Sequence, residues 1–122
     1  MERFNIEIKT KDNTINADLT FDDNRDHFKG LVIFYHGFKG FKDWGTFPLM
    51  AEEFAKAGFL FLKFNGSKNG TTKEHPDSFI DKESFAENTF SVQLNDIIRV
   101  VAYANSELKL HYSFQEIYLM GH

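Results

Sequence analysis

The hydrophobic pattern of the chain changes its period near residue 30, and this change restricts the folds available to it. From Phe4 to Ile8, and again from Ile15 to Phe21, apolar residues alternate with polar ones. Such alternation predicts two half-buried strands, joined here by a turn at Asp12-Asn13. From Leu31 to Tyr35 every residue is apolar, which is typical of a strand covered on both faces. The pattern therefore predicts a hairpin followed by the buried strands of a parallel sheet.

Two stretches in the rest of the chain have a helical period. The first carries apolar residues at i, i+3, i+4 and i+7, with Pro48 in its first turn and Gly58 just past its end. The second begins near Phe90 and is predicted to end near Ser106. Further strands are predicted at Phe59–Phe64 and Ile117–Met120. The order β-β-β-α-β-α-β predicts an α/β fold with a mainly parallel sheet and flanking helices.

Composition narrows the classes of function. The chain has 122 residues, enough for one domain, and its net charge of -4 argues against a nucleic-acid or anionic-membrane partner. No apolar run is long enough to cross a membrane and no signal peptide precedes the first strand, so a cytoplasmic protein is expected. With 0 Cys there is no disulfide, cysteine nucleophile or Cys-ligated zinc. No other cluster has metal-ligand spacing, and neither a metal nor an organic cofactor is expected.

Two of the predicted strands run into turns that contain glycine. Leu31–Tyr35 is followed by His36-Gly37-Phe38-Lys39-Gly40, and Tyr118–Met120 by Gly121-His122. Ester hydrolysis passes through an oxyanion that backbone N–H groups stabilise, and losing one such donor costs roughly 3–4 kcal/mol. By its position, Phe38 has the best candidate N–H. The side chains of Phe38, Phe41 and Trp44 are then expected beside the substrate. The same residues alone fit an ordinary strand-to-helix loop equally well.

These motifs resemble the α/β-hydrolase family, especially its dienelactone-hydrolase-like and acyl or cinnamoyl esterase-like members. The resemblance rests on three segments, which are His36–Gly45, Gly58–Asn65 and the apolar strand that ends in Gly121-His122. It covers essentially the whole chain, but about the first half of a typical family domain. Residues 1–122 are therefore expected to be the N-terminal portion of a single α/β-hydrolase domain, truncated before the nucleophile.

The resemblance implies both an architecture and an activity. The sheet order is expected to be 1-2-4-3-5, with the first two strands antiparallel and the rest parallel. The activity is expected to be cleavage of small carboxylic esters by a serine that follows His122, with an acid and a histidine further on. His36 and Gly37 match the oxyanion loop, while Gly121 and His122 match the start of the nucleophile elbow. The 122 residues alone are expected to be inactive.

Other functions and sites remain open from the sequence. A non-catalytic binding domain, a peptidase or a thioesterase would be built on the same scaffold. Gly66-Ser67 superficially resembles an elbow but has the wrong spacing, and His27, His75 and His111 are expected at the surface. Lys39, Lys42 and Asp43 are expected in a solvated loop, where the lysines could attract an acidic substrate.

Two segments carry further expectations. The polar stretch from Asn65 to Glu83 is predicted to be a long loop of functional or mobile character. The apolar strand at 117–120 is predicted to be an exposed sheet edge, through which these residues would self-associate.

Overall fold

The computed structural model describes residues 1–11, 13–37, 40–68, 70–77 and 81–122, apart from the side chain of Ser84. The predicted turn at Asp12-Asn13 is therefore described only at Asn13, and the turn residues Phe38 and Lys39 lie outside the described residues. Five strands form one sheet, and they are β1 (Glu2–Lys9), β2 (Thr14–Phe21), β3 (Leu31–Tyr35), β4 (Leu60–Phe64) and β5 (Ile117–Gly121).

The sheet has the predicted order, β1-β2-β4-β3-β5. β2 is antiparallel to both of its neighbours, β1 and β4, whereas β3 is parallel to β4 and to β5. All the strands except β2 consequently point in one direction. The expectation of an α/β fold with a mainly parallel sheet is confirmed, as an open mixed sheet with flanking helices.

The sheet separates two apolar cores. On one face, Leu31 and Ile33 of β3 pack with Leu60, Leu62 and the buried residues of the second long helix. On the other face, Val32 and Phe34 pack against Phe61 and the first helix. Coverage on both faces explains why β3 and β4 are apolar at nearly every position, as parallel strands commonly are.

The helices begin where the sequence predicts but differ in length and number. α1 spans Phe47–Lys56 and is followed by Gly58 at a φ of +102°. A short helix, α2 (Lys82–Ala86), begins inside the stretch predicted as loop, where Lys, Glu and Ala favour helix. α3 spans Phe90–Tyr103, and the Thr89 hydroxyl accepts the N–H of Val92 at its start.

The predicted end of the second long helix near Ser106 is wrong. Helical structure continues from α3 through a π-helical segment, Ala104–Leu108, and a last turn, Lys109–His111. The continuation places Ala104 and Leu108 in the core with exposures of 0% and 3%. The polar residues between these two side chains suggested a helix end. The free energy gained by burying the two apolar side chains favours continuing the helix instead.

β5 lies at an edge of the sheet and pairs only with β3 in the part of the chain that the structure describes. Its apolar residues Tyr118 and Leu119 are 48% and 62% exposed. Unpaired N–H and C=O groups beside exposed apolar side chains form a template for another strand. We propose that this edge drives self-association of the 122-residue polypeptide.

Sedimentation of the 122-residue polypeptide tests this edge. Its weight-average mass is expected to rise with concentration, whereas Leu119→Lys is expected to remain monomeric because a charge blocks edge pairing. Leu110→Lys serves as the control, since Leu110 is 73% exposed and lies on the last helical turn rather than on a strand. A wild-type polypeptide that is monomeric at every concentration would count against the proposed edge.

Among the described residues, none of the helices combines the length and apolar character needed to cross a membrane.

Candidate active site

The carboxyl ends of β3 and β5 bring the two glycine-containing turns together. The strands are adjacent and parallel, with Tyr35 opposite Gly121. Beyond this pair, the N–H of His122 donates to the carbonyl oxygen of Tyr35 at 3.2 Å. The His122 ring packs edge-on against Phe47 at the start of α1, with 5.2 Å between the ring centroids. Segments far apart in sequence thus meet at one rim of the sheet.

Gly37 lies directly against His122 of the other turn. A Cβ atom on Gly37 would lie 2.9 Å from the carbonyl oxygen of His122 and 3.3 Å from its Nδ1. The first of these distances is shorter than real Cβ contacts allow, so a side chain here would move one turn away from the other. The carbonyl oxygen of Gly37 also accepts the N–H of Gly40 at 2.8 Å, which holds these two glycines together. Phe38, the predicted oxyanion donor, lies between these glycines and outside the described residues.

His36 is held in a neutral, oriented state. Gly66 donates its backbone N–H to His36 Nε2 at 3.1 Å, so this nitrogen acts as an acceptor. Nδ1 therefore carries the proton, and it lies 3.0 Å from the carbonyl oxygen of Gly37. Burial lowers the pKa of His36, and the bond to Gly37 opposes this shift only in part. With Nε2 engaged in this way, His36 is suited to fixing the loop rather than to accepting a proton from a nucleophile.

The pKa of His36 predicts a pH-dependent stability. Because the pKa is lower in the folded protein than its ordinary value of 6.5, the unfolded chain takes up the proton first as the pH falls. The stability contributed by the neutral ring is thus fully present above pH 6.5, and it is lost as the pH falls through the lower pKa that His36 has in the folded protein. Urea unfolding of wild type and His36→Gln at about pH 7.5 and about pH 5 measures this loss. The free energy of unfolding of wild type relative to His36→Gln should be smaller at about pH 5 than at about pH 7.5. An equal difference between the two proteins at both pH values would contradict the prediction.

Two of the three aromatic residues predicted to contact substrate, Phe41 and Trp44, lie together in the loop before α1, and the third, Phe38, lies outside the described residues. Phe41 and Trp44 pack edge-on with 5.5 Å between their ring centroids, and Trp44 is 51% exposed. They form a partly open aromatic surface a few residues beyond the Gly37 turn. That they bind substrate stays a prediction.

A cavity of about 280 Å³ borders the same rim of the sheet. Its described lining includes His36, Gly121 and His122 from the turns and apolar side chains such as Ile33, Ile97 and Leu119. Phe41 and Trp44 are not among these lining residues. The cavity offers an apolar space beside the backbone groups of both turns.

Ser67 is not arranged as a nucleophile. Its hydroxyl donates to the carboxylate of Asp96 on α3, with Oγ 2.8 Å from Oδ1, and its backbone N–H lies 2.8 Å from Oδ2. Burial raises the pKa of Asp96, while the bonds from Ser67 oppose the shift. This pair ties the loop after β4 to α3. The sequence-based exclusion of Ser67 as a nucleophile agrees with this geometry.

The prediction of a solvated loop at Lys42 and Asp43 is wrong, while Lys39 lies outside the described residues. Lys42 is 6% exposed and its Nζ lies 2.9 Å from the carboxylate of Asp18, which is itself 0% exposed. The Asp43 side chain is 26% exposed and contacts the buried Lys63. Because its charge is taken up by carboxylates, Lys42 is not available to attract an acidic substrate. The alternation along β2 placed Asp18 on the polar face. The signal that could have indicated these contacts is Lys63, a charged residue within the apolar run Phe59–Phe64.

The remaining predicted polar sites lie at the surface. His27, His75 and His111 are exposed, as expected. Within the described ranges, no group of three or more His, Cys, Asp or Glu side chains is placed to hold a metal ion.

Comparison with solved structures places this arrangement in a known fold. Est1E from Butyrivibrio proteoclasticus matches with a TM-score of 0.71 and 21% identity over 97% of this chain, and its ferulic-acid-bound structure with 0.72 and 24% over 96%. Brefeldin A esterase matches with a TM-score of 0.74 and 14% identity over 98% of the chain. An alpha-beta serine hydrolase homologue from Coxiella burnetii matches with 0.67 and 15% over 97%. The chain has the α/β-hydrolase fold.

The match covers only part of each neighbour. The chain spans 40% of Est1E, or 42% in its ferulic-acid complex, 31% of brefeldin A esterase and 50% of the Coxiella protein. No protein-family model matches the chain, and no curated protein matches it in sequence. The α/β-hydrolase similarity therefore concerns the fold alone.

Proposed function

We propose that residues 1–122 are the N-terminal portion of a single α/β-hydrolase domain whose full-length protein cleaves small carboxylic esters through an acyl-enzyme. The single observation that carries the proposal is the close approach of the two turns, with Gly37 against His122. A nucleophile one residue beyond His122 would stand beside the loop that presents the Phe38 N–H. Such proximity of nucleophile and oxyanion donors is what acyl transfer requires.

The proposal gives each part of the site a role. The serine after His122 attacks the carbonyl carbon, and a later histidine oriented by an acid takes its proton. The N–H of Phe38 and the N–H of the residue after that serine hold the oxyanion. His36 fixes the first turn through its bonds to Gly37 and Gly66. No metal or organic cofactor enters this scheme.

An aromatic acyl group is the substrate feature that we propose. One neighbour, Est1E, has been solved with ferulic acid bound. In this chain, the exposed Trp44 and its partner Phe41 offer an aromatic surface a few residues after the Gly37 turn in the sequence. Aromatic side chains favour stacked or edge-on contact with an aromatic ligand.

Hydrolysis of p-nitrophenyl acetate by the full-length protein tests the proposed function. A burst of p-nitrophenol close to one equivalent per enzyme is expected, followed by a slower steady state, because the acyl-enzyme forms before it is hydrolysed. The 122-residue polypeptide serves as the inactive control. Parallel assays with a thioester and an anilide distinguish an esterase from a thioesterase or peptidase. Absence of hydrolysis of every acyl substrate would reject the proposal and favour a non-catalytic binding domain.

A further inference from the structure

A buried cluster of charges lies beside the candidate oxyanion loop. It contains Asp18 on β2, Lys63 opposite it on β4, Lys42 and Asp43 in the loop after β3, and Arg3 on β1. Lys63 Nζ lies 2.8 Å from both oxygens of Asp18 and 2.7 Å from Asp43 Oδ1. Lys42 Nζ lies 2.9 Å from Asp18 Oδ2 and 2.8 Å from Asp43 Oδ2. Arg3 Nη2 lies 2.9 Å from each carboxylate.

The geometry of the cluster leaves its loop residues little freedom. Asp18 and Lys63 are 0% exposed and stand on adjacent strands, so they form a fixed base in the sheet. Burial alone would raise the pKa of Asp43, but hydrogen bonds from Lys42 and Lys63 outweigh it and lower the pKa to about 2. Both carboxylates bridge cations from separate elements. A buried ion pair is often no more stabilising than apolar packing, so its use is better sought in conformational specificity.

The cluster is connected to the candidate site through the backbone. Lys42 donates its N–H to Asn65 Oδ1 at 2.7 Å, and the N–H of Asn65 donates to the Asn16 carbonyl at 2.8 Å. The loop is thus attached to β2 and to the end of β4. At its other end, the turn is fixed by β3 and by the bonds of His36 to Gly37 and Gly66. The Phe38 N–H belongs to the short segment between these two attachments.

We propose that the buried charge cluster positions the candidate oxyanion loop, with Lys42 as the positioning residue that joins the loop to Asp18. The ammonium group of Lys42 orders residues 40–46. Its effect on catalysis rests on the proposed function. A loop displaced by as little as 1 Å would lower turnover by up to about 100-fold, because oxyanion stabilisation depends on the distance and direction of the N–H.

The test uses Lys42→Met in the full-length protein, since methionine keeps most of the apolar stem and removes the charge. Hydrogen exchange of the amides in residues 40–46 is expected to accelerate by about tenfold or more, with exchange elsewhere little changed. For p-nitrophenyl acetate, kcat is expected to fall by about 10- to 100-fold with KM within about twofold of wild type. Lys42→Arg should restore part of the kcat and part of the protection from exchange in residues 40–46. Lys56→Met is the matched control, because Lys56 lies on α1 with a side chain 62% exposed.

A second variant guards against misfolding. Asp43→Asn keeps the size and an acceptor oxygen at a partly exposed position, and should raise loop exchange and lower kcat in the same direction as Lys42→Met. The proposal is overturned if loop exchange and kcat stay at wild-type values, or if exchange rises equally throughout the chain. If the wild-type protein hydrolyses no ester, the proposed function fails, and the exchange data alone decide whether the cluster orders the loop.

Discussion

Under the proposed function, Gly37→Val is expected to reduce kcat/KM of the full-length protein by about 10²- to 10³-fold, the loss that follows removal of an oxyanion donor. The added side chain cannot fit between the turns, because its Cβ would lie 2.9 Å from the carbonyl oxygen of His122. One turn must therefore move away from the other. The proposed nucleophile and the Phe38 N–H are then no longer directed at the same carbonyl group of the substrate. The measurement is steady-state hydrolysis of p-nitrophenyl acetate, together with urea unfolding.

Gly45→Asn provides the matched control within the same loop. Gly45 has a φ of +55°, a conformation that asparagine tolerates, and a Cβ there would meet nothing within 4 Å. This variant is expected to retain kcat/KM within about threefold of wild type. Wild-type activity in Gly37→Val would mean that the two turns need not approach closely during catalysis.

Asp18→Ala is expected to lower the free energy of unfolding by about 3–5 kcal/mol, which is the usual cost of removing one partner from a buried ion pair. Without the Asp18 carboxylate, Lys63 and Lys42 stay buried, with Asp43 as the remaining carboxylate that the structure shows near them. The Lys63 side chain is 0% exposed, so its charge is compensated mainly by the carboxylates that it contacts. The measurement is urea unfolding near neutral pH, monitored by circular dichroism.

Glu53→Ala is the control for this prediction. Glu53 pairs with Lys56 on the surface of α1, with side chains 73% and 62% exposed. Removal of such a surface pair is expected to change the free energy of unfolding by less than about 1 kcal/mol. A loss from Asp18→Ala no larger than that from Glu53→Ala would show that the buried cluster contributes little.

The strands of the sheet could be predicted from the sequence because the order of apolar and polar residues along a strand reflects which of its faces are buried. β3 and β4 are covered on both faces and are apolar at every position except Lys63, whereas the apolar residues of β1 and β2 alternate with polar ones. The strand order was predicted from the resemblance to the α/β-hydrolase family, since the hydrophobic period does not indicate which strands pair. The helix end was missed because Leu108 reaches the core only after three exposed polar residues, Asn105, Ser106 and Glu107.

The site was predictable only in part. The sequence indicated that both turns lie at strand ends, and the parallel pairing of β3 with β5 brings them together. The contact between Gly37 and His122 joins positions far apart in the chain, and only coordinates reveal it. The charge cluster was missed for the same reason, because no single segment shows that Asp18, Lys42 and Lys63 meet in the folded chain.

Covalent labelling with a fluorophosphonate, followed by peptide mapping, tests the central claim most directly. In an activated serine hydrolase the serine oxygen displaces fluoride from phosphorus and keeps the phosphonyl group. We expect one adduct per full-length molecule, on the residue that immediately follows His122, and a matching loss of esterase activity. Labelling at Ser67 or elsewhere, or no labelling of a folded protein, would contradict the claim that these two turns form an acyl-transfer site.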